Sequence, residues 1–262
     1  EASSFTIAPG GGLLTLKTID TVRTTIPAPL VGQGWRDLAP QIVPLWNAIL
    51  DQCPKEMKWF SLGNEVDPYL AAQPQEVDGY LAFLETCRRA ILAKRPDAKV
   101  GVTVTWEGLR KRPELARRLL AFGDVAILTY YPLNDDFSPM PPSEVPAHIS
   151  RAIEAAGPKP VILQEIGYPA ATMLGSSEQA QNDFVKAVFR ELDRHPGKVL
   201  LANYFLQVDF AKPVLDMLET YYGLTNERFR AFLGTLGLKK SDGTPRAAWR
   251  TFQDEVRRRK PY

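Results

Sequence analysis

Two glutamates stand where an apolar strand would be expected to end in a plain turn. Phe60-Ser61-Leu62-Gly63-Asn64-Glu65 closes a short apolar run, 58–62, on an Asn-Glu pair, and Val161-Ile162-Leu163-Gln164-Glu165 repeats the arrangement later in the chain. Both runs suit buried strands better than helices. A carboxylate at the carboxyl end of such a strand is expensive to place unless it has a partner or a task. Two of them in matched positions form a pair that can divide its labour. One carboxyl group, held protonated, gives up a proton, while the other, ionised, attacks. For either glutamate alone, a satisfied structural carboxylate is an equally good reading.

The elements that would carry this pair alternate along the chain. Strands are expected over 13–19, 58–62, 100–105, 125–129, 161–164 and 199–206. Helices are expected over 35–50, 77–94, 113–122, 143–156 (starting on a Ser cap), 177–193 and 214–233, the last with a break near Gly223. Pro40 and Pro44 should break or kink the first helix, and Pro245 should open the last one. The first twelve residues, ending in Gly10-Gly11-Gly12, read as a loop or fraying start, with 5–8 as a possible extra strand. Such an order specifies an α/β fold with a parallel sheet and right-handed crossovers. No Gly-x-Gly-x-x-Gly turn follows the first strand, which argues against dinucleotide binding. Polar or aromatic residues end nearly every strand: Asp20, Asn64-Glu65, Thr105-Trp106, Tyr130-Tyr131, Gln164-Glu165, Gln207 and Asp209. A site fed by every strand is the pattern of a barrel's carboxyl-end face.

Bulk properties narrow the class. The 262 residues, 45% hydrophobic and 24% charged, fit one large domain or two small ones. With 32 basic against 30 acidic residues the net charge is only +2, which does not suggest a nucleic-acid binder. The basic run Arg257-Arg258-Arg259-Lys260 reads as a solvated helix end. No run of about 18 apolar residues predicts a membrane span, and no signal peptide is visible at Glu1. Cys53 and Cys87 read best as thiols, with pairing open. His148 and His195 lie in no metal-ligand pattern, so neither metal nor cofactor is expected.

On these residues, the Gly-Asn-Glu at 63–65 and the Gln-Glu-Ile-Gly-Tyr-Pro at 164–169 resemble the clan of retaining glycoside hydrolases built on the (β/α)8 barrel, endo-β-1,4-galactanase-like or cellulase-like members in particular. The closing Ser-Asp-Gly-Thr-Pro-Arg-Ala-Ala-Trp resembles the last turn and helix of these barrels. The resemblance implies Glu65 as acid/base at the end of strand four and Glu165 as nucleophile at the end of strand seven. It also implies Asn64 on the sugar's 2-hydroxyl, a tyrosine (Tyr130 or Tyr131) beside the nucleophile, and a carbohydrate substrate. Trp106, Tyr131, Tyr168, Phe205 and Trp35 are then candidate sugar-stacking faces, with ordinary packing the alternative for each. Trp46, Trp59 and Trp249 are assigned to the core. Asp20 and Asp209 are candidates for sugar hydroxyls or for turns and caps, and Asp67 shapes the loop after Glu65. Secretion fits the resemblance.

The chain departs from the clan in three ways. About six β/α units are visible, so strands one and two are missing and the barrel is incomplete, a single domain truncated at its start. The strand-two arginine has no counterpart. The strand-eight platform, usually tryptophan, is Tyr204-Phe205. Two readings follow: an active retaining β-glycosidase, or a degenerate partial barrel without activity. Open edges at 13–19 and 199–206 would also invite a homodimer that covers them.

Overall fold

The structure is a computed structural model that describes residues 3–8 and 11–259. Glu1, Gly10 and Lys260, which the sequence reading used, lie outside the described residues. Contacts divide the chain into one unit made of Glu1–Thr129 with Ala155–Gln164 and a second made of Tyr130–Glu154 with Glu165–Tyr262.

The first unit opens with β1 (Ser3–Ala8) and β2 (Gly11–Leu16), an antiparallel pair, followed by a two-residue hairpin, β3 (Ile19–Asp20) and β4 (Arg23–Thr24). Helix α1 (Trp35–Gln52) leads to β5 (Met57–Ser61), then α2 (Asp67–Ala72) and α3 (Val77–Lys94). β6 (Lys99–Gly101) and β7 (Thr103–Thr105) follow, then α4 (Trp106–Lys111), α5 (Pro113–Leu120) and β8 (Ala126–Tyr130). β2 pairs parallel with β5, β5 with β6, and β7 with β8, as the alternation predicts. The opening loop of the sequence reading is instead strand β1, lying along β2. The chain therefore covers the 13–19 edge itself, and that edge is not open to a partner.

One side of this unit's core is the α1–α3 pair, packed beside buried strand residues such as Leu13, Phe60 and Val100. Trp35, Leu38, Ile42, Trp46 and Leu50 recur at helical spacing on the buried face of α1. They meet Tyr80, Phe83, Leu84, Cys87 and Ile91 of α3. Trp35 lies edge-on to Tyr80 at 4.7 Å and donates its indole N–H to Glu76 at 2.7 Å, so it is a core residue and not a sugar platform. The expected break at Pro40 and Pro44 does not occur. Both prolines are exposed and one turn apart, so the carbonyls that lose an N–H partner face water, and the helix continues.

The remaining elements are α6 (Val145–Ala156), β9 (Val161–Ile166), α7 (Glu178–Arg194), β10 (Val199–Tyr204), α8 (Lys212–Tyr222), α9 (Glu227–Leu233) and α10 (Ala247–Arg258). β9 neighbours β8 and β10, and the division between units falls inside β8 and β9. Ser177 caps α7, its hydroxyl accepting from the Ala180 N–H at 3.1 Å. The expected Ser cap on α6 is absent, because a 3-10 turn, Pro142–Glu144, precedes it with no side-chain cap. α10 starts two residues after Pro245, at Ala247. Trp249 is half-buried beneath the Lys239 ammonium (4.3 Å) and does not lie in the core. Cys53 and Cys87 are both free thiols.

In the second unit Asp209 and Arg246 form a buried ion pair, each side chain 6% exposed. Arg246 donates to both Asp209 oxygens, at 3.0 and 2.7 Å, and the Gly237 N–H donates to Oδ1 at 2.8 Å. The pair ties the segment after β10 to the start of α10. Removing one member leaves the other charged and buried. Asp209→Ala should therefore destabilise the second unit by about 3–5 kcal/mol, read as a lower urea midpoint. Breaking the exposed pair Lys212–Asp216 should leave the same midpoint nearly unchanged.

Candidate functional site

Glu65 sits where the first unit gathers its strand ends. Beyond β5 the chain keeps pairing on both sides. Asn64 N–H donates to the Ile19 carbonyl (2.9 Å), Thr21 N–H to the Asn64 carbonyl (2.9 Å), and Val66 N–H to the Thr103 carbonyl (3.1 Å). Glu65 itself adopts φ +48°, and Thr21 opposite it φ +55°. Neither is glycine, and for a β-branched threonine that region is a true outlier costing about 1–2 kcal/mol. The two strained residues bond each other: Thr21 Oγ1 donates to Glu65 Oε2 at 2.9 Å. Thr129, at the end of β8, donates to Oε1 at 2.6 Å. Glu65 is partly buried, and burial raises its carboxyl above the ordinary range. The two threonine hydroxyls oppose that rise, nearby Asp20 adds to it, and Lys17 lowers it.

Beneath Glu65 runs a buried polar chain. Asn64 donates its amide to Asp20 Oδ1 (2.9 Å), and Asp20 Oδ2 accepts from Lys17 (3.2 Å). Asn64 Oδ1 accepts from the Gln164 amide at 2.7 Å. Gln164 Oε1 accepts from Thr15 (3.1 Å) and Thr103 (2.6 Å), and Thr103 bonds Ser61 at 2.6 Å. The Lys17–Asp20 charge pair fixes which way the amides point. Asp20 accepts only, so the Asn64 amide nitrogen must face it, its oxygen must face Gln164, and the Gln164 oxygen is left for the hydroxyls. These bonds use one N–H and one lone pair of the Asn64 amide.

Asp67, 1% exposed, accepts from the Thr105 N–H (2.8 Å) and hydroxyl (2.6 Å). Gly108 is required there, since a Cβ on it would stand 1.9 Å from Asp67 Oδ2. Burial pushes the Asp67 carboxyl up to about 7, against the pull of Thr105 and with a further push from Glu65.

In the second unit Tyr131 donates its hydroxyl to Glu165 Oε2 at 2.7 Å. Its ring stands edge-on between Phe205 (6.1 Å) and Phe232 (5.6 Å), which fixes its aim. A Cβ on Gly167 would meet that ring at 2.7 Å, so the glycine after Glu165-Ile166 lets the tyrosine approach.

The other candidates divide. Tyr130, only one residue away, turns to His148 (3.0 Å from its hydroxyl to Nδ1) and packs on Phe184 at 5.8 Å. Tyr168 is buried, stacked on Phe184 at 5.0 Å, with its hydroxyl on the Met140 carbonyl. Trp106 is buried at the start of α4. These three are packing residues, without the open face a sugar ring needs. Asp209 is taken up by Arg246, and Asp20 by Asn64 and Lys17. Phe205 is half-buried. Sequence reasoning missed Thr21, Thr129 and Thr103. Their only signal was position, one hydroxyl after Asp20, one at the start of β7 and one near the end of β8. Among the described residues no group of three or more His, Cys, Asp or Glu is placed to hold a metal, and no helix is long and apolar enough to cross a membrane.

No protein-family model matches the chain, and no curated protein matches it. Solved structures do. GH5_18 from Streptomyces cattleya, in complex with GlcNAc, superimposes with a TM-score of 0.66 at 15% identity over 94% of this chain. The Ignisphaera aggregans GH53 catalytic domain gives 0.59 at 12% identity, covering 92% of this chain and 72% of that one. The family 17 β-1,3-glucanosyltransferase from Rhizomucor miehei gives 0.52 at 18%, over 81% and 71%. The chain spans 62% of the length of the Streptomyces cattleya protein. The fold is thus that of the TIM-barrel glycoside hydrolases, in incomplete form.

The raised Asp67 carboxyl gives a pH prediction. A group whose folded-state value exceeds its unfolded one binds its proton more tightly when folded. Its contribution is full below about pH 4 and is lost as pH rises to about 7. Stability should fall across that window by the order of a few kcal/mol. Urea midpoints of Asp67→Asn measured against pH should lack this part of the slope.

Proposed function

We propose that the chain is a β-glycoside hydrolase of retaining mechanism, its two units acting as one domain, with Glu65 as acid/base and Glu165 as nucleophile. What carries the reading is the contrast between the two glutamates. Glu65 is pushed toward its protonated form by burial, the state a general acid needs. Glu165 receives the Tyr131 hydroxyl, a bond that orients a carboxylate for attack and stabilises its charge. In the proposed first step Glu165 attacks the anomeric carbon. The bond to the leaving oxygen breaks, and that oxygen takes the Glu65 proton. In the second step Glu65, now ionised, removes a proton from water, which releases the sugar from Glu165 with its configuration retained. This chemistry requires carboxyl groups about 5–5.5 Å apart. The remaining N–H of Asn64 suits a sugar hydroxyl, and Phe205 supplies an aromatic face. The glycoside hydrolase fold of the neighbours supports a carbohydrate substrate, and within that class the proposal names a β-linked oligo- or polysaccharide.

A second reading is a degenerate barrel without activity. It is favoured by the double engagement of Glu65, both of whose oxygens accept threonine hydroxyls, and by the 62% coverage of the longer neighbour. The proposed homodimer rests on β10, which pairs only with β9, or on the segment before Leu13, where β1 pairs only with β2, among the described residues. Light scattering that gives the mass of one chain at every concentration would remove it.

Incubation with aryl β-glycosides, β-glucans and β-galactans separates the two readings, because no release from any of them sinks the enzyme. If turnover is found, Glu165→Ala should lower kcat by about four orders of magnitude or more, with no retained product in azide. Glu65→Ala should slow unactivated substrates by about 100-fold or more and activated aryl glycosides far less. In azide it should yield a glycosyl azide of retained configuration. Equal losses on both substrate types would contradict the acid/base assignment.

A further inference from the structure

The hairpin β3–β4 is four paired residues and a turn, anchored in the core by Ile19. Asp20 pairs with Arg23, Ile19 with Thr24, and the Val22 N–H closes the turn on the Asp20 carbonyl at 2.7 Å. Thr25 ties the hairpin back to the chain before it, with its N–H on the Thr18 carbonyl (3.0 Å) and its hydroxyl on the Lys17 carbonyl (2.9 Å). The residue this frame presents is Thr21. Every polar group of Thr21 is spent on the segment that carries Glu65. Its N–H reaches the Asn64 carbonyl, its carbonyl accepts from the Tyr69 N–H (3.1 Å), and its hydroxyl reaches Glu65 Oε2. It does this in a left-handed conformation, φ +55°, that a β-branched residue avoids. Strain kept where three bonds over-determine it marks a functional position more often than a packing one.

We infer that Thr21 is a positioning residue for Glu65, fixing the plane of its carboxyl group from the Oε2 side while Thr129 fixes it from the Oε1 side. The inference rests on the proposed role of Glu65 for its catalytic meaning, but not for its geometry. When Glu65 gives its proton to the leaving oxygen, it becomes a carboxylate in a buried place. The Thr21 hydroxyl, already a donor to Oε2, stabilises the charge that forms and needs no reorganisation to do so. The charged groups acting on Glu65 are Asp20 and Lys17 before the hairpin turn, and Asp67 lies on the Glu65 segment itself. None of them supplies a hydroxyl donor.

The test is a carboxyl titration of Glu65 by carbon-13 NMR in the full chain, with Glu65→Gln used to assign the signal. Thr21→Val removes the hydroxyl and keeps the shape. It should raise the Glu65 midpoint by about one pH unit, the size expected for the loss of one donor to a carboxylate. Thr21→Ser keeps the hydroxyl and should restore the wild-type midpoint. If the valine variant does not fold, Thr21→Ala is compared with Thr21→Ser instead. A midpoint that is the same with and without the hydroxyl overturns the inference. If the wild-type chain turns over a glycoside, Thr21→Val should lower kcat on unactivated substrates by about 10-fold with KM unchanged, and move the alkaline limb of the profile upward. Serine should rescue both. If no glycoside is turned over, the proposed function fails while the titration still decides the role of Thr21.

Discussion

A buried polar group must find its partner within the protein or forfeit the free energy of leaving water. The first unit is organised by that requirement. Asn64 and Glu65 follow the largely buried strand β5, and from Asn64 the demand for partners passes outward. Its amide engages Gln164 on one side and Asp20 on the other. Gln164 in turn needs Thr15 and Thr103, and Asp20 needs Lys17. Residues from β2, β5, β7 and β9 are thereby held in one register. A single charge pair at the end sets the orientation of all the amides. Small changes in this chain of bonds should be felt along its whole length, because half-satisfied buried networks are costly.

The glutamates were legible in the sequence because an apolar run ending in a carboxylate contradicts its own pattern. The parallel alternation was legible for the same reason that it forms: strands such as β2 and β8 are buried at every position, and helices such as α1 and α3 bury one face. What could not be read was partner choice. Threonine is an ordinary strand residue, so nothing in its type announced that Thr21 and Thr129 would claim the two oxygens of Glu65. Aromatic residues misled in the opposite direction. Tyr130 and Tyr131 are adjacent, yet alternation along an extended chain turns one to His148 and the other to Glu165. Pro40 and Pro44 argued for a break, but the sequence does not say which face of a helix will meet water.

In the second unit the aiming of Glu165 depends on apolar contact. Tyr131 is wedged between Phe205 and Phe232, within a cluster that includes Leu174, Leu215, Phe229 and Leu236. The first glutamate is thus held by hydroxyls and the second through a ring fixed by rings. Hydrogen bonds restrict direction more sharply, and packing restricts position over a broader area.

The path of the chain through the first unit has a consequence for its birth. Ala155–Gln164 belongs to the same compact unit as the first 129 residues, and Gln164 bonds Thr15 across 149 positions of sequence and Asn64 across 100. A ribosome delivers the chain from its amino end at about 5–20 residues per second. The unit therefore waits several seconds, with its polar layer unclosed, until β9 emerges. Contacts of such long range are slow to form and leave intermediates exposed. The hairpin that presents Thr21 can form early and locally, so the nascent chain can hold the Glu65 segment in place well before the glutamine that completes the layer exists.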